Sequence, residues 1–334
     1  MRSCVASGAV QLLMVTALAA HGQSSWHVEK TFAVGGAGSF DYITVDAKGH
    51  RLFVPRGTHA QVIDSESGKL LGDIPGIKGA HGIAIVPAVN RGFATQGQGD
   101  GGLLVFDLKT YAVLGSLPAM ADADGVIYDE AADRVLVSAG DSEALLVYKP
   151  SADLKTGKPE VVKLSGKPEF LAADGDTVFV NLEDKDLVAK VDLKTLKVIA
   201  KYPVAPGGKP VGLSIDRAAH KLFIGCRGPQ KLVVMSTVDG KIEGSVDIGM
   251  GVDATAYGKG EAFASCRDGS LTVAGDKGGS FAVIQTVQTA VGAKTLGIDA
   301  ETGKIYLPTT DYVTGANGKP AAKPEGFKIV VVSK

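Results

Sequence analysis

Gly212-Leu213-Ser214-Ile215-Asp216 decides the fold. It reads as an apolar strand ending in Asp. The polar turn Asp216-Arg217-Ala218-Ala219 follows, and then a second strand centred on Phe223. The same unit returns along the chain. Earlier first strands read Tyr42-Ile43-Thr44-Val45-Asp46, Gly82-Ile83-Ala84-Ile85-Val86, Gly125-Val126-Ile127-Tyr128-Asp129 and Phe170-Leu171-Ala172-Ala173-Asp174. Later ones read Ala254-Thr255-Ala256-Tyr257 and Leu296-Gly297-Ile298-Asp299. The second strands centre on Phe53, Phe93, Leu136, Phe179, Phe223, Phe263 and Tyr306, with gaps of 40, 43, 43, 44, 40 and 43 residues. A hairpin completes each unit, as in Val62 to Leu71, Val105 to Leu114 and Val191 to Ile199. Four short strands at a period of 40–45 residues predict an all-β, seven-bladed β-propeller of four-stranded antiparallel blades over 26–334.

The ends predict how the ring closes. The last unit has strands near 294–299 and 304–309, and then Phe327 to Val332, so it lacks a fourth. Trp26 to Val34 is a strand without a unit and is expected to complete the last blade, which removes exposed edges. Before it, Met1-Arg2 and the apolar run from Ala9 to Ala20 read as a secretory signal peptide over 1–22, cut near Gln23 after Ala20-His21-Gly22. The run is too short to span a bilayer. The mature protein is therefore expected to be periplasmic or secreted, not inserted in a membrane, and monomeric.

Composition narrows the function. The chain has 334 residues, is 45% hydrophobic and 21% charged, and carries a formal charge of −1, which excludes a disordered chain. It also argues against nucleic acid as a partner, since a phosphate binder needs a basic face. No Gly-x-Ser-x-Gly elbow, Walker loop, His-Glu-x-x-His or Cys-x-x-Cys is present.

The repeats resemble the YncE-type, or YVTN-repeat, family of exported seven-bladed β-propellers. The matching features are the Asp-terminated first strand, the aromatic second strand, and hairpins such as Ile63-Asp64-Ser65-Glu66-Ser67-Gly68-Lys69. The resemblance covers essentially all of 26–334. It implies the fold, and a function resting on loops, because propeller families share strands and differ there. Some members are described only as binding proteins; distant relatives include lactonases and a lyase. The chain lacks the adjacent cysteine pair of quinoprotein dehydrogenases, and the length and tryptophan motifs of eight blades, so PQQ is disfavoured as a cofactor.

Topology places the candidate site. Loops entering each first strand and leaving each second strand open on one face of a propeller. The entering loops carry Asp41, His81, Asp124, Glu169, Asp253 and Lys294; the leaving loops carry Arg56, His59, Asn181, Glu183, Arg227 and Arg267. A funnel of these groups suits a small molecule. His81 is a candidate general base or metal ligand, or else a neutral histidine bonded within its loop. Glu169 and Glu183 are candidate acid and base, or else salt-bridge partners of Lys167 and Lys185. Asp41, Asp124 and Asp253 hold matching positions and could bind a divalent cation, although capping of backbone N–H groups is the preferred reading. With His81 and Glu169 added, Asp41 and Asp124 are the metal candidates. Cys226 and Cys266 could form a disulfide or an Arg-stabilised thiolate pair, with two buried free thiols preferred. Arg227 and Arg267 could hold an anion. Asp311 to Gly326 interrupts the last blade and is expected to be mobile, as a lid or a plain insertion. The leading expectation is a propeller that binds a small molecule or exported protein partner at the funnel. Its alternative is a metal-assisted, lactonase-like hydrolase or lyase on the same residues.

Overall fold

The computed structural model describes Met1 and residues 25–36, 38–315 and 319–334. The expected leader, apart from Met1, lies outside the described residues, as does Cys4. The described chain is all-β except for two single 3-10 turns, Pro87–Val89 and Glu183–Lys185. None of its helices is long and apolar enough to cross a membrane.

Strand β1 (His27–Ala33) opens the chain. A seven-stranded sheet follows: β2 (Thr44–Asp46), β3 (Arg51–Pro55), β4 (Gly57–Asp64), β5 (Leu70–Val86), β6 (Arg91–Gln96), β7 (Gly102–Asp107) and β8 (Val113–Pro118). Next come four-stranded sheets of β9 (Ala123–Asp129), β10 (Arg134–Ala139), β11 (Ala144–Tyr148) and β12 (Glu160–Lys163), and of β13 (Pro168–Asp174), β14 (Thr177–Leu182), β15 (Leu187–Asp192) and β16 (Lys197–Pro203). Two more contain β17 (Pro210–Asp216), β18 (Lys221–Arg227), β19 (Gln230–Ser236) and β20 (Ile242–Asp247), and β21 (Val252–Gly258), β22 (Glu261–Cys266), β23 (Ser270–Asp276) and β24 (Phe281–Gln288). Finally β25 (Gly297–Ile298), β26 (Ile305–Thr314) and β27 (Pro320–Ser333) form a sheet whose fourth strand is β1, with Phe32 opposite Ile329 and His27 opposite Ser333.

The large sheet is two four-strand arrays fused through β5. Its first part pairs with β4, as Ile74 with Ala60, and its second part with β6, as Ala84 with Phe93. The inner strands neighbour one another in the order β2, β5, β9, β13, β17, β21, β25 and again β2. The core lies between sheets. Phe53, Phe93, Leu136, Phe179, Phe223, Phe263 and Tyr306, the repeating second-strand residues, are all buried there.

The hairpin Asp has a local cause. Asp64 Oδ1 accepts the backbone N–H groups of Glu66 and Ser67 and the Ser67 hydroxyl; Asp107 and Asp192 repeat the pattern on Lys109-Thr110 and Lys194-Thr195. A carboxylate closes each turn, and these bonds hold its pKa below the ordinary value.

The Asp311–Gly326 insertion departs from expectation. Its described part is a paired hairpin arm extending β26 and β27, with Tyr312 opposite Ala322 and Val313 opposite Ala321. Tyr312-Val313-Thr314 is a good strand former, and that preference outweighs the surrounding Gly and Pro.

Candidate functional site

The residues that open the inner strands converge on one end of the channel. Asp41 precedes β2, His81 lies within β5, Asp124 opens β9, Glu169 opens β13, Asp253 opens β21, and Lys294 precedes β25. Six of the seven inner strands thus contribute a polar side chain from an equivalent point, and β17 is the exception. His81 is on a continuous strand and not in a loop.

Asp41, His81 and Asp124 form the tightest group. One ligand atom from each lies within 4.8 Å of the others. His81 Nδ1 is 2.9 Å from Asp41 Oδ2 and 3.6 Å from Asp124 Oδ1. The backbone ties the loops together as well, for Tyr42 N–H donates to the His81 carbonyl. Two glycines make the room. A Cβ on Gly97 would sit 2.8 Å from His81 Cδ2, and one on Gly82 would sit 3.0 Å from the Asp124 carbonyl oxygen.

A second group completes the ring. Asp253, only 6% exposed at its side chain, pairs with both Arg227 and Lys294. Lys294 Nζ also reaches Asp41 Oδ1 at 3.3 Å, and Arg227 reaches Glu183 at 3.5 Å. Glu169 lies beside Glu183, whose carboxylate helps to raise its pKa. Five carboxylates therefore face two fixed cations and one imidazole.

That imbalance shows in the protonation. The bond to Asp41 raises the His81 pKa, opposed by burial and helped by Asp124. Burial pushes the Asp124 carboxyl up to about 6, with Asp41 adding to the rise. Burial also raises Glu169 well above the carboxylate range, reinforced by Asp124 and Glu183. Asp124 Oδ1 is buried without a hydrogen-bond partner. The preferred capping reading of the aspartates therefore gives way. The bonds to the Asp41 and Asp253 carboxylates come from His81, Lys294 and Arg227 side chains.

Tyr42 belongs to the site although its sequence position reads as core. It is buried, its ring centroid is 4.6 Å from that of Phe170, and its phenol feels Asp124, Asp41, Glu169 and Arg227. Burial, with the three carboxylates, raises its pKa well above the ordinary value. Only its place between Asp41 and a strand could have signalled the role. Beyond this aromatic layer, Phe170 lines an apolar cavity of about 300 Å³ with Ile43, Val45, Ile83, Ile85 and Ile127.

Several expected members lie elsewhere. Arg56 is 1% exposed; its guanidinium donates to the carbonyls of Gly35, Gly36, Gly38 and Ser39 and to Gln61 Oε1, and covers the Phe327 ring at 3.6 Å. It folds back because five donors find a ready cage of carbonyls. His59 faces Asp73 at 3.6 Å on the outer part of β5. Asn181 is fully buried, and its Nδ2 donates to the Val211 and Gly212 carbonyls, joining two sheets. Arg267 is exposed at the surface. Cys226 and Cys266 are buried free thiols, each pushed up to about 12 by burial, so the thiolate and disulfide readings fall. Lys167 pairs with Asp122 and Lys185 with Asp184, which leaves Glu169 to Glu183.

Comparison with known proteins agrees on the fold. Residues 97–256 match the family model described as YNCE-like beta-propeller. No curated protein matches the chain. Among solved structures, the Myceliophteria thermophila Cps50 (Swd1) β-propeller domain is similar at TM-score 0.72 and 11% identity, over 93% of this chain and 100% of that one. Kuenenia stuttgartiensis hydrazine synthase is similar at TM-score 0.69 and 11% identity, over 86% of this chain and 96% of that one. Both likenesses concern fold alone. With residues 97–256 similar to that family and the same strand unit repeated on either side of them, the chain is a β-propeller that resembles the YncE-like type.

Proposed function

We propose that the chain is an exported seven-bladed propeller, closed by β1 on the last blade, whose funnel binds a small molecule through a divalent cation held by Asp41, His81 and Asp124. One observation carries the reading. Three ligand atoms gather within 4.8 Å, and the Asp124 Oδ1 among the site's acceptors is buried without a donor. The His81 imidazole is 3.6 Å from that oxygen, beyond hydrogen-bond distance, and a buried acceptor left without a bond is costly. One imidazole with two carboxylates suits Zn²⁺ or Mn²⁺ better than Ca²⁺, which takes oxygen ligands. Lys294, which reaches Asp41, and Arg227, which shares Asp253 with it, are there to meet an anionic part of the ligand. The seven repeats and the circular order of inner strands support the blade count; the first 22 residues support export.

The test is metal content by mass spectrometry on protein purified without chelator or affinity metal. The expected result is about one divalent ion per chain, lost in His81→Ala while the circular dichroism spectrum stays unchanged. Wild-type protein that carries no metal, and takes up neither Mn²⁺ nor Zn²⁺ in titration, overturns the reading.

One observation favours a second reading, a metal-assisted hydrolase or lyase of the lactonase type. Glu169 is a carboxyl held protonated toward neutral pH beside the cation site, as a general acid must be. A screen of lactones with the metal-loaded protein tests it. Turnover lost in Glu169→Gln with the metal retained supports the enzyme; no turnover of any lactone leaves the binding reading alone.

A further inference from the structure

The three ligand-bearing segments are fastened from behind by two buried threonines. Thr95, on β6, is fully buried. Its hydroxyl donates to the Asp124 carbonyl at 2.8 Å and accepts the Gly82 N–H at 2.9 Å. One hydroxyl thus joins the segment of His81 to that of Asp124, across two sheets. Thr295, also fully buried, donates to the Asp41 carbonyl at 2.9 Å. The Tyr42 N–H on the His81 carbonyl, at 3.1 Å, joins the segment of Asp41 to that of His81, so Thr295 anchors Asp41 from its other side, to the segment of Lys294. These hydroxyls bond the backbone directly beside the three ligand residues.

We propose that Thr95 and Thr295 are positioning residues of the cation site: they touch no ligand atom, but fix the spacing of Asp41, His81 and Asp124 and so the affinity for the ion. The inference rests on the cation reading above. Outer partners of this kind change metal affinity by about 10–100-fold when removed.

The experiment is calorimetric titration of Mn²⁺ and Zn²⁺ into the full mature chain and its Thr95→Val, Thr95→Ser and Thr295→Val variants. Thr309→Val serves as the control, because Thr309 is an equally buried threonine whose hydroxyl donates to Val291 and to no ligand segment. Thr95→Val and Thr295→Val are expected to bind about tenfold or more weakly, and Thr95→Ser close to wild type. Thr309→Val is expected to lower the melting temperature and leave affinity unchanged. If both valine variants at 95 and 295 bind as tightly as wild type, the positioning role is wrong and the cation site stands. Equal weakening in Thr309→Val reduces the effect to general loosening and overturns it too. If wild type binds neither ion, the cation reading itself has failed. Should Thr95→Val not fold, Thr295→Val decides.

Discussion

His81, Asp124 and Glu169 share an electrostatic sign. All three bind a proton more readily in the folded chain than in an unfolded one, because Asp41 stabilises the imidazolium and burial disfavours the two carboxylates. The His81 contribution is fully present below about pH 6.5 and is lost as pH rises through its raised value. For Asp124 the loss runs from the ordinary carboxyl value of 3.8 up to about 6. The metal-free protein should therefore lose stability between about pH 4 and 8, the upper end set by Glu169. A divalent ion binds the deprotonated forms, so its stabilisation should grow across the same interval. Melting scans over this range, with chelator and with Mn²⁺, measure both slopes; parallel curves would remove the cation from the account. Which side chains gather was partly legible in sequence. Asp41, His81, Asp124, Glu169, Asp253 and Lys294 stand at one phase of the repeat, and all reach the ring. Arg56, Asn181 and Arg267 did not follow, because leaving loops vary in path and a polar side chain there has carbonyls to satisfy as well as a funnel to face.

Elements were legible where each carries its own punctuation. The aromatic centre and the turn-closing Asp mark strand and hairpin in unit after unit. β5 was not legible as a single strand. Gly76 and Gly79 have φ of +79° and +71°, values that read as a turn, and yet the strand runs through them. The arm of β26 and β27 was hidden for the opposite reason, since its Gly and Pro residues outnumber its strand formers. Thr310 and Phe327 are direct partners, so the arm can be replaced by an Asn-Gly turn between them. Removing 311–326 in this way should leave the fold and the Mn²⁺ affinity unchanged. A large loss of affinity in the shortened chain would restore the lid.

Across the whole molecule, Trp26 ties the N-terminal segment to the sheet of β21 to β24. Its indole N–H donates to Glu261 Oε2 at 2.9 Å, its ring meets Phe263 edge-on at 5.0 Å, and its backbone exchanges bonds with Gln285. Trp26→Ala should cost about 3–5 kcal/mol and lower the melting temperature by about 10 °C. It should also expose 327–333 to limited proteolysis; an unchanged melting curve would show that the N-terminal strand adds nothing to the ring. The pairing of β1 with β27 carries one more consequence, for the order of events in time. The first strand to emerge from a chain made or delivered N-terminus first has as its partner the last, with Phe32 awaiting Ile329. Every intervening sheet can settle by local contacts beforehand, but this one must close the longest loop the sequence allows. Until it does, β27 presents a bare edge, and that interval is when a neighbouring chain or a protease finds the protein most vulnerable.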